Sequence, residues 1–204
     1  MENKTLRLAL LVDGDNAQSK MMELVLEEAS KYGKVTIRRV YGDWTTQHMN
    51  HWKTILNELA INPIQKFSYT KSKNSTDSAL IIDAMDILHN KSVEGFCIVS
   101  SDSDFTGLAK RIREEGLFVM GIGKKITPIA FVNSCEIFTF SENIDLKENK
   151  KNIENEKIQK PSSKLTDEVL ELIDKAFEIS TNEEEQTFIA NVGGSLRKIN
   201  PSFD

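Results

Sequence analysis

Short apolar runs alternate with helix-periodic stretches along most of this chain, and that alternation leaves few folds open. Residues 6–12 (LRLALLV) form an apolar run that stops at Asp13-Gly14-Asp15-Asn16, the pattern of a buried strand followed by a turn. Further strands are expected at 35–42 (VTIRRVYG), 63–67, 96–100 (FCIVS), 117–123 (LFVMGIG) and 135–140 (CEIFTF). Between them, Met21, Met22, Leu24, Val25 and Ala29 recur as on one helix face, and Gly33 is read as its stop. Helices are also expected at 48–60, at 75–89 (opened by Ser75 and Thr76) and at 105–115, the last closed by Gly116.

Strands alternating with helices of this length specify βαβ units, hence a three-layer α/β/α fold around a central parallel sheet. Right-handed crossovers then put the binding crevice beyond the carboxyl ends of the strands. The chain's 204 residues suffice for one medium domain plus a small appendage. No apolar run approaches the ~20 residues needed to span a bilayer, and the start (MENKTLRLALLVDGDN) has no leader-like segment. Cys97 and Cys135 sit in strand-like apolar surroundings and read as buried thiols of a reducing compartment, so a cytoplasmic location is expected.

Two of the expected strands deliver aspartates at the same structural place. The first ends at Asp13 and Asp15, the fourth at Asp102 and Asp104, and Asp77 falls in the first turn of the helix leading toward the fourth strand. Carboxylates gathered within a few ångströms repel and raise one another's pKa values. A hard divalent cation relieves that conflict, and Mg²⁺ or Mn²⁺ prefers oxygen ligands. An ion so held can polarise a phosphodiester and acidify a bound water.

Each acid also has a plainer reading. An Asp after a strand often shapes a turn or caps a helix, and Asp77 could simply favour a helix dipole. Asp83 and Asp86 lie inside an apolar helix and could be structural. Repetition of strand-then-Asp at two sites is what capping alone explains poorly. A strand followed by Asp13-Gly14-Asp15 also echoes the nucleophile motif of haloacid dehalogenase phosphatases, with Asp13 as nucleophile and Asp15 as acid; Ala17 stands where that motif has Thr or Val.

The segments LLVDGDNAQ, RRVYGDWT, KNSTDSALIIDAMDIL, FCIVSSDSDFTGLAKRIREEGLFVMGIG and TPIAFVNSCEIFTF, in that order, resemble an NYN domain, one of the PIN-like metal-dependent ribonucleases. The resemblance covers residues 5 to 142 and implies Mg²⁺- or Mn²⁺-dependent hydrolysis of RNA, with endonucleolytic cleavage. Residue by residue, it places the family's acidic centre on Asp13, Asp77, Asp102 and Asp104. Asn16 matches an Asn that orients a metal-bound water or a ligand, and Asp83 matches a further family acid. A non-catalytic RNA-binding or scaffolding protein would retain the same acids.

From Ser141 to Lys164 the sequence becomes rich in Asn, Lys, Glu and Ser, which reads as a linker. The segments LTDEVLELIDKAF and FIANVGGSLRKINPSFD beyond it resemble the start of a LOTUS (OST-HTH) domain, a small winged-helix-like module associated with RNA and with protein partners. The match stops before the wing. The expected organisation is therefore a nuclease domain at 1–145, a linker at 146–163 and an incomplete LOTUS module at 164–204. The partner implied is RNA and not a membrane, and a homo-oligomer or a protein held by the C-terminal module is compatible with the same text.

Net charge is −5, which opposes a phosphate-binding role until its distribution is considered. Residues 1–145 hold 17 basic and 19 acidic side chains, nearly in balance. Candidate phosphate contacts are Lys71, Lys73 and Asn74 before Asp77, Arg38 and Arg39 on the second strand, and Lys124 and Lys125 after the fifth. Tyr41 and Trp44 are either base-stacking or packing residues. His48 and His51 lack a third ligand and read as surface residues.

Overall fold

The computed structural model describes residues 5–67, 75–144, 167–180 and 189–201. The candidate contacts Lys71, Lys73 and Asn74, and the expected linker at 146–163, lie outside these residues.

Six strands form the central sheet: β1 (Arg7–Asp13), β2 (Lys34–Gly42), β3 (Asn62–Gln65), β4 (Gly95–Val99), β5 (Phe118–Gly123) and β6 (Ile137–Phe140). Their order is β3-β2-β1-β4-β5-β6, and every neighbouring pair is parallel. The chain builds outward from β1 to β3, returns to pair β4 with β1, and then builds the other way. The strand order thus reverses between β1 and β4, which opens a crevice at their carboxyl ends.

Alternation along β1 explains the layers. Leu8, Leu10 and Val12 face one side with Met22, Val25 and Ala29 of α1 (Met22–Ser30) and Leu56 of α2 (Lys53–Glu58). Ala9 and Leu11 face the other, against Leu80 and Ala84 of α3 (Ser75–His89) and Leu108, Ala109 and Ile112 of α4 (Thr106–Glu114). Both faces are covered, which is why Leu8 through Val12 are fully buried and the strand reads as a continuous apolar run.

The structure redraws some helix ends. The helix expected around Met21 to Ala29 begins with a 3₁₀ turn at Ser19–Met21, and that at 48–60 is a 3₁₀ turn, Gln47–Trp52, leading into the short α2. Gly116 ends α4 with φ of 73°, as a left-handed glycine should. Gly33 has a different reason: a Cβ there would lie 2.5 Å from the carbonyl oxygen of Leu6, so it permits close approach to the start of β1 and is not a helix stop. A further short helix, α5 (Ile129–Val132), precedes β6 and inserts Phe131 against Phe105 and Phe138.

Two C-terminal helices follow, α6 (Asp167–Ser180) and α7 (Ile189–Ile199). They are joined by a Ser180–Ser195 hydrogen bond of 2.8 Å. The N–H of Phe138 on the edge strand β6 donates to the carbonyl of Pro201 at 2.6 Å, which satisfies part of an otherwise open sheet edge.

Candidate metal centre

In a parallel sheet, a helix that follows a strand begins at the carboxyl edge, so the first turns of α3 and α4 and the ends of β1 and β4 meet there. Asp13, the last residue of β1, is 1% exposed. Its Oδ2 accepts from Asn16 Nδ2 at 2.6 Å and from Ser100 Oγ at 2.9 Å, and its Oδ1 accepts from the Asp15 N–H at 3.2 Å. Burial pushes its pKa up, the Asn16 and Ser100 hydrogen bonds pull it back, and the charge of Asp15 adds to the rise.

Ser100 ties the two strand ends together. While its hydroxyl donates to Asp13, it accepts from the Asp102 N–H at 3.1 Å. Asp102 in turn caps the 3₁₀ turn Ser103–Phe105, its Oδ1 accepting the Asp104 N–H at 2.9 Å. The capping reading of Asp102 is therefore correct as far as it goes. It does not account for Asp77, which arrives from α3. One carboxylate oxygen from each of Asp77, Asp102 and Asp104 lies within 4.8 Å of the others. Asp77 and Asp102 are half-buried and Asp104 is exposed. Burial first, then the charges of Asp13, Asp102, Asp104 and Asp15, push the Asp77 carboxyl up to about 6.

The donor set is all oxygen and triply negative, which suits a hard divalent cation. An ion with bonds of ~2.1 Å holds its ligand oxygens no more than about 4.2 Å apart. The separation found here closes to that with small side-chain rotations, so the residues fit such an ion.

Asp13 stands outside this group of three. Its Oδ2 is taken up by Asn16 and Ser100, so it lies behind the cluster as a fourth negative charge. Asn16 is turned onto Asp13. The same burial argues against a phosphatase of the haloacid dehalogenase type, whose nucleophile must face its substrate, and Asp15 instead accepts from Thr76 Oγ1 at 3.0 Å.

Lys124 lies at the carboxyl end of β5, its N–H donating to Ser101 Oγ at 2.9 Å, and lines a cleft with Asn16, Ser100 and Ser101. Arg38 is not brought to the acids. It pairs in register with Leu10, well back along the strand, and its guanidinium donates to the Leu59 carbonyl at 2.9 Å. Asp83 is bound by Arg39 and by the hydroxyl of Tyr41, which is fully buried; Tyr41 is a packing residue. His48 and His51 are exposed and stack edge-on against one another. Ser100, Ser101 and Thr76 are the polar residues at this edge that sequence reasoning missed as site residues. The SSDSD text showed the Ser100 and Ser101 hydroxyls, but only the β1–β4 register reveals that Ser100 serves Asp13.

A family model described as the NYN domain matches residues 7–143. An uncharacterized protein of Methanocaldococcus jannaschii is 30% identical over 122 residues, covering 57% of this chain and 47% of that protein, so the chain spans about half the length of this curated relative. The crystal structure of a protein of unknown function from Vibrio parahaemolyticus superposes with a TM-score of 0.58 at 19% identity, over 69% of this chain and 95% of that one; that likeness concerns the fold.

Proposed function

The chain belongs to the NYN domain family, and from that premise we propose that it is a Mg²⁺- or Mn²⁺-dependent ribonuclease that cuts RNA endonucleolytically. The observation carrying this reading is the convergence of Asp77, from the start of α3, with Asp102 and Asp104, from the turn after β4, on one point of the crevice between β1 and β4. When bound there, a divalent ion supplies Lewis-acid polarisation of the phosphodiester and a water of lowered pKa. The three carboxylates hold and orient it. Asp13 adds negative charge from behind, and Ser100 and Asn16 fix its orientation. Lys124, on the neighbouring strand end, is placed to offset phosphate charge. No side chain is needed as a nucleophile.

We further assign α6 and α7 to the start of a LOTUS module at 164–204, joined to the nuclease domain at 1–145 through 146–163. Such a module would tether RNA and raise its local concentration, and would give a protein partner or a second copy of the chain a place to dock. Among the described residues no helix is long and apolar enough to cross a membrane. The two free, buried cysteines suit a reducing compartment such as the cytoplasm. The test is cleavage of labelled single-stranded RNA with added Mg²⁺ or Mn²⁺. Activity should vanish with chelator and in Asp102→Asn; cleavage that persists in that variant refutes the assignment.

A further inference from the structure

The crevice lies midway along a line of strand ends, and one flank of that line carries aromatic rings. Trp44 follows β2 and Phe67 follows β3. Phe67 is 55% exposed, so much of its ring is open to a ligand. Trp44 is half-buried, and its surroundings fix it firmly. The indole Nε1 donates to the Ile64 carbonyl at 3.0 Å, and the Trp44 N–H donates to Gln65 Oε1 at 3.0 Å. Gln65 in turn donates to Asp43 Oδ1 at 3.0 Å, and the same oxygen accepts from the N–H and hydroxyl of Thr45. A single network therefore locks the β2–β3 corner, with Trp44 packed in part against the α1 and α2 side of the core.

We propose that Trp44 and Phe67 form a stacking platform for the bases of a single-stranded RNA whose scissile phosphate lies over the aspartates. The proposal rests on the nuclease reading for its direction. Strand ends in a sheet are ~4.8 Å apart, so the Trp44 corner lies about one such step and the Phe67 corner about two from the end of β1. Bases flanking the scissile phosphate reach that far. The hydrogen bonding also constrains selectivity: the indole N–H is already spent on Ile64, so Trp44 has only its ring face to offer. Every base has such a face, so the platform grips single strands with little sequence preference and disfavours duplex, whose bases are already stacked.

The test uses the full chain carrying Asp102→Asn, with chelator, and follows binding of a short fluorescently labelled oligoribonucleotide. Phe67→Ala should weaken binding about 5- to 150-fold, the range for loss of one stacked base. Phe67→Tyr and Trp44→Phe should bind as the parent does. A strand of equal length and charge made of abasic nucleotides, which loses stacking on both rings, should bind the parent at least as weakly as the complete strand binds Phe67→Ala. The platform is overturned if the parent binds abasic and complete strands alike, if it prefers duplex, or if Phe67→Ala binds as well as Phe67→Tyr. Failure of the nuclease reading would look different: stacking would persist in this assay while the wild-type chain cut no RNA.

Discussion

Replacing Asp77 with Asn should make the metal-free protein more stable. The Asp77 carboxyl is pushed from its ordinary 3.8 up to about 6, by burial and by four neighbouring aspartates. A carboxyl whose folded pKa is raised favours folding fully below the unfolded value. That contribution is lost as pH rises through the folded pKa, because the native state must then ionise against its surroundings. The full displacement corresponds to about 3 kcal/mol at 1.36 kcal/mol per pH unit. Asp77 is only half-buried, and solvent screening reduces the figure to about 1 kcal/mol. In chelator at pH 7.5, Asp77→Asn should therefore melt about 2–4 °C above wild type, and the gap should close near pH 4. Mn²⁺ should reverse the order. At 100 times its dissociation constant a ligand stabilises by about 2.7 kcal/mol, and most of that gain should be missing in the variant. Two outcomes refute the reasoning: Asp77→Asn melting below wild type in chelator, or an equal Mn²⁺ shift in both proteins.

Ser100→Ala removes the hydroxyl that joins Asp13 to the Asp102 backbone; calorimetric titration should show metal affinity falling about 10- to 100-fold, with stability down by about 1–3 kcal/mol in urea unfolding. Tyr41→Phe takes a donor from Asp83 but leaves Arg39 in place, and should cost about 1–2 kcal/mol with cleavage retained. Leu80→Ala empties a fully buried site beneath α3, and should cost about 2–5 kcal/mol by the same unfolding measurement.

Much of the fold was legible because its signals are local. Buried parallel strands read as apolar runs, as LRLALLV does, and parallel topology then dictates that their carboxyl ends share an edge. Asp77, Asp102 and Asp104 were recognisable for that reason. What stayed hidden depends on register and packing. Nothing in the sequence near Asp13 says that Ser100, 87 positions away, will turn it inward, or that Tyr41 and Arg39 will both close on Asp83. Gly33 looked like a helix stop because that is what a glycine after a helix usually is. Its actual reason, the nearby Leu6 carbonyl, exists only once β1 and β2 are paired.

The same topology accounts for how a protein keeps such a cluster folded before any ion arrives. Asp77 lies in the first turn of α3, Asp102 caps the 3₁₀ turn that leads into α4, and Asp104 lies within that turn. Unsatisfied backbone N–H groups at helix starts favour negative charge by about 0.3–1 kcal/mol each, and Asp102 collects one such N–H directly. Those contacts offset part of the mutual repulsion, while burial first and the neighbouring aspartates second still hold the Asp77 carboxyl above its ordinary value. Had the helix starts neutralised the acids completely, a cation would gain little by binding. Had they been absent, the acids would splay apart or take up protons at neutral pH. The cluster sits between these limits, repelled enough to attract a divalent ion and restrained enough to wait for it.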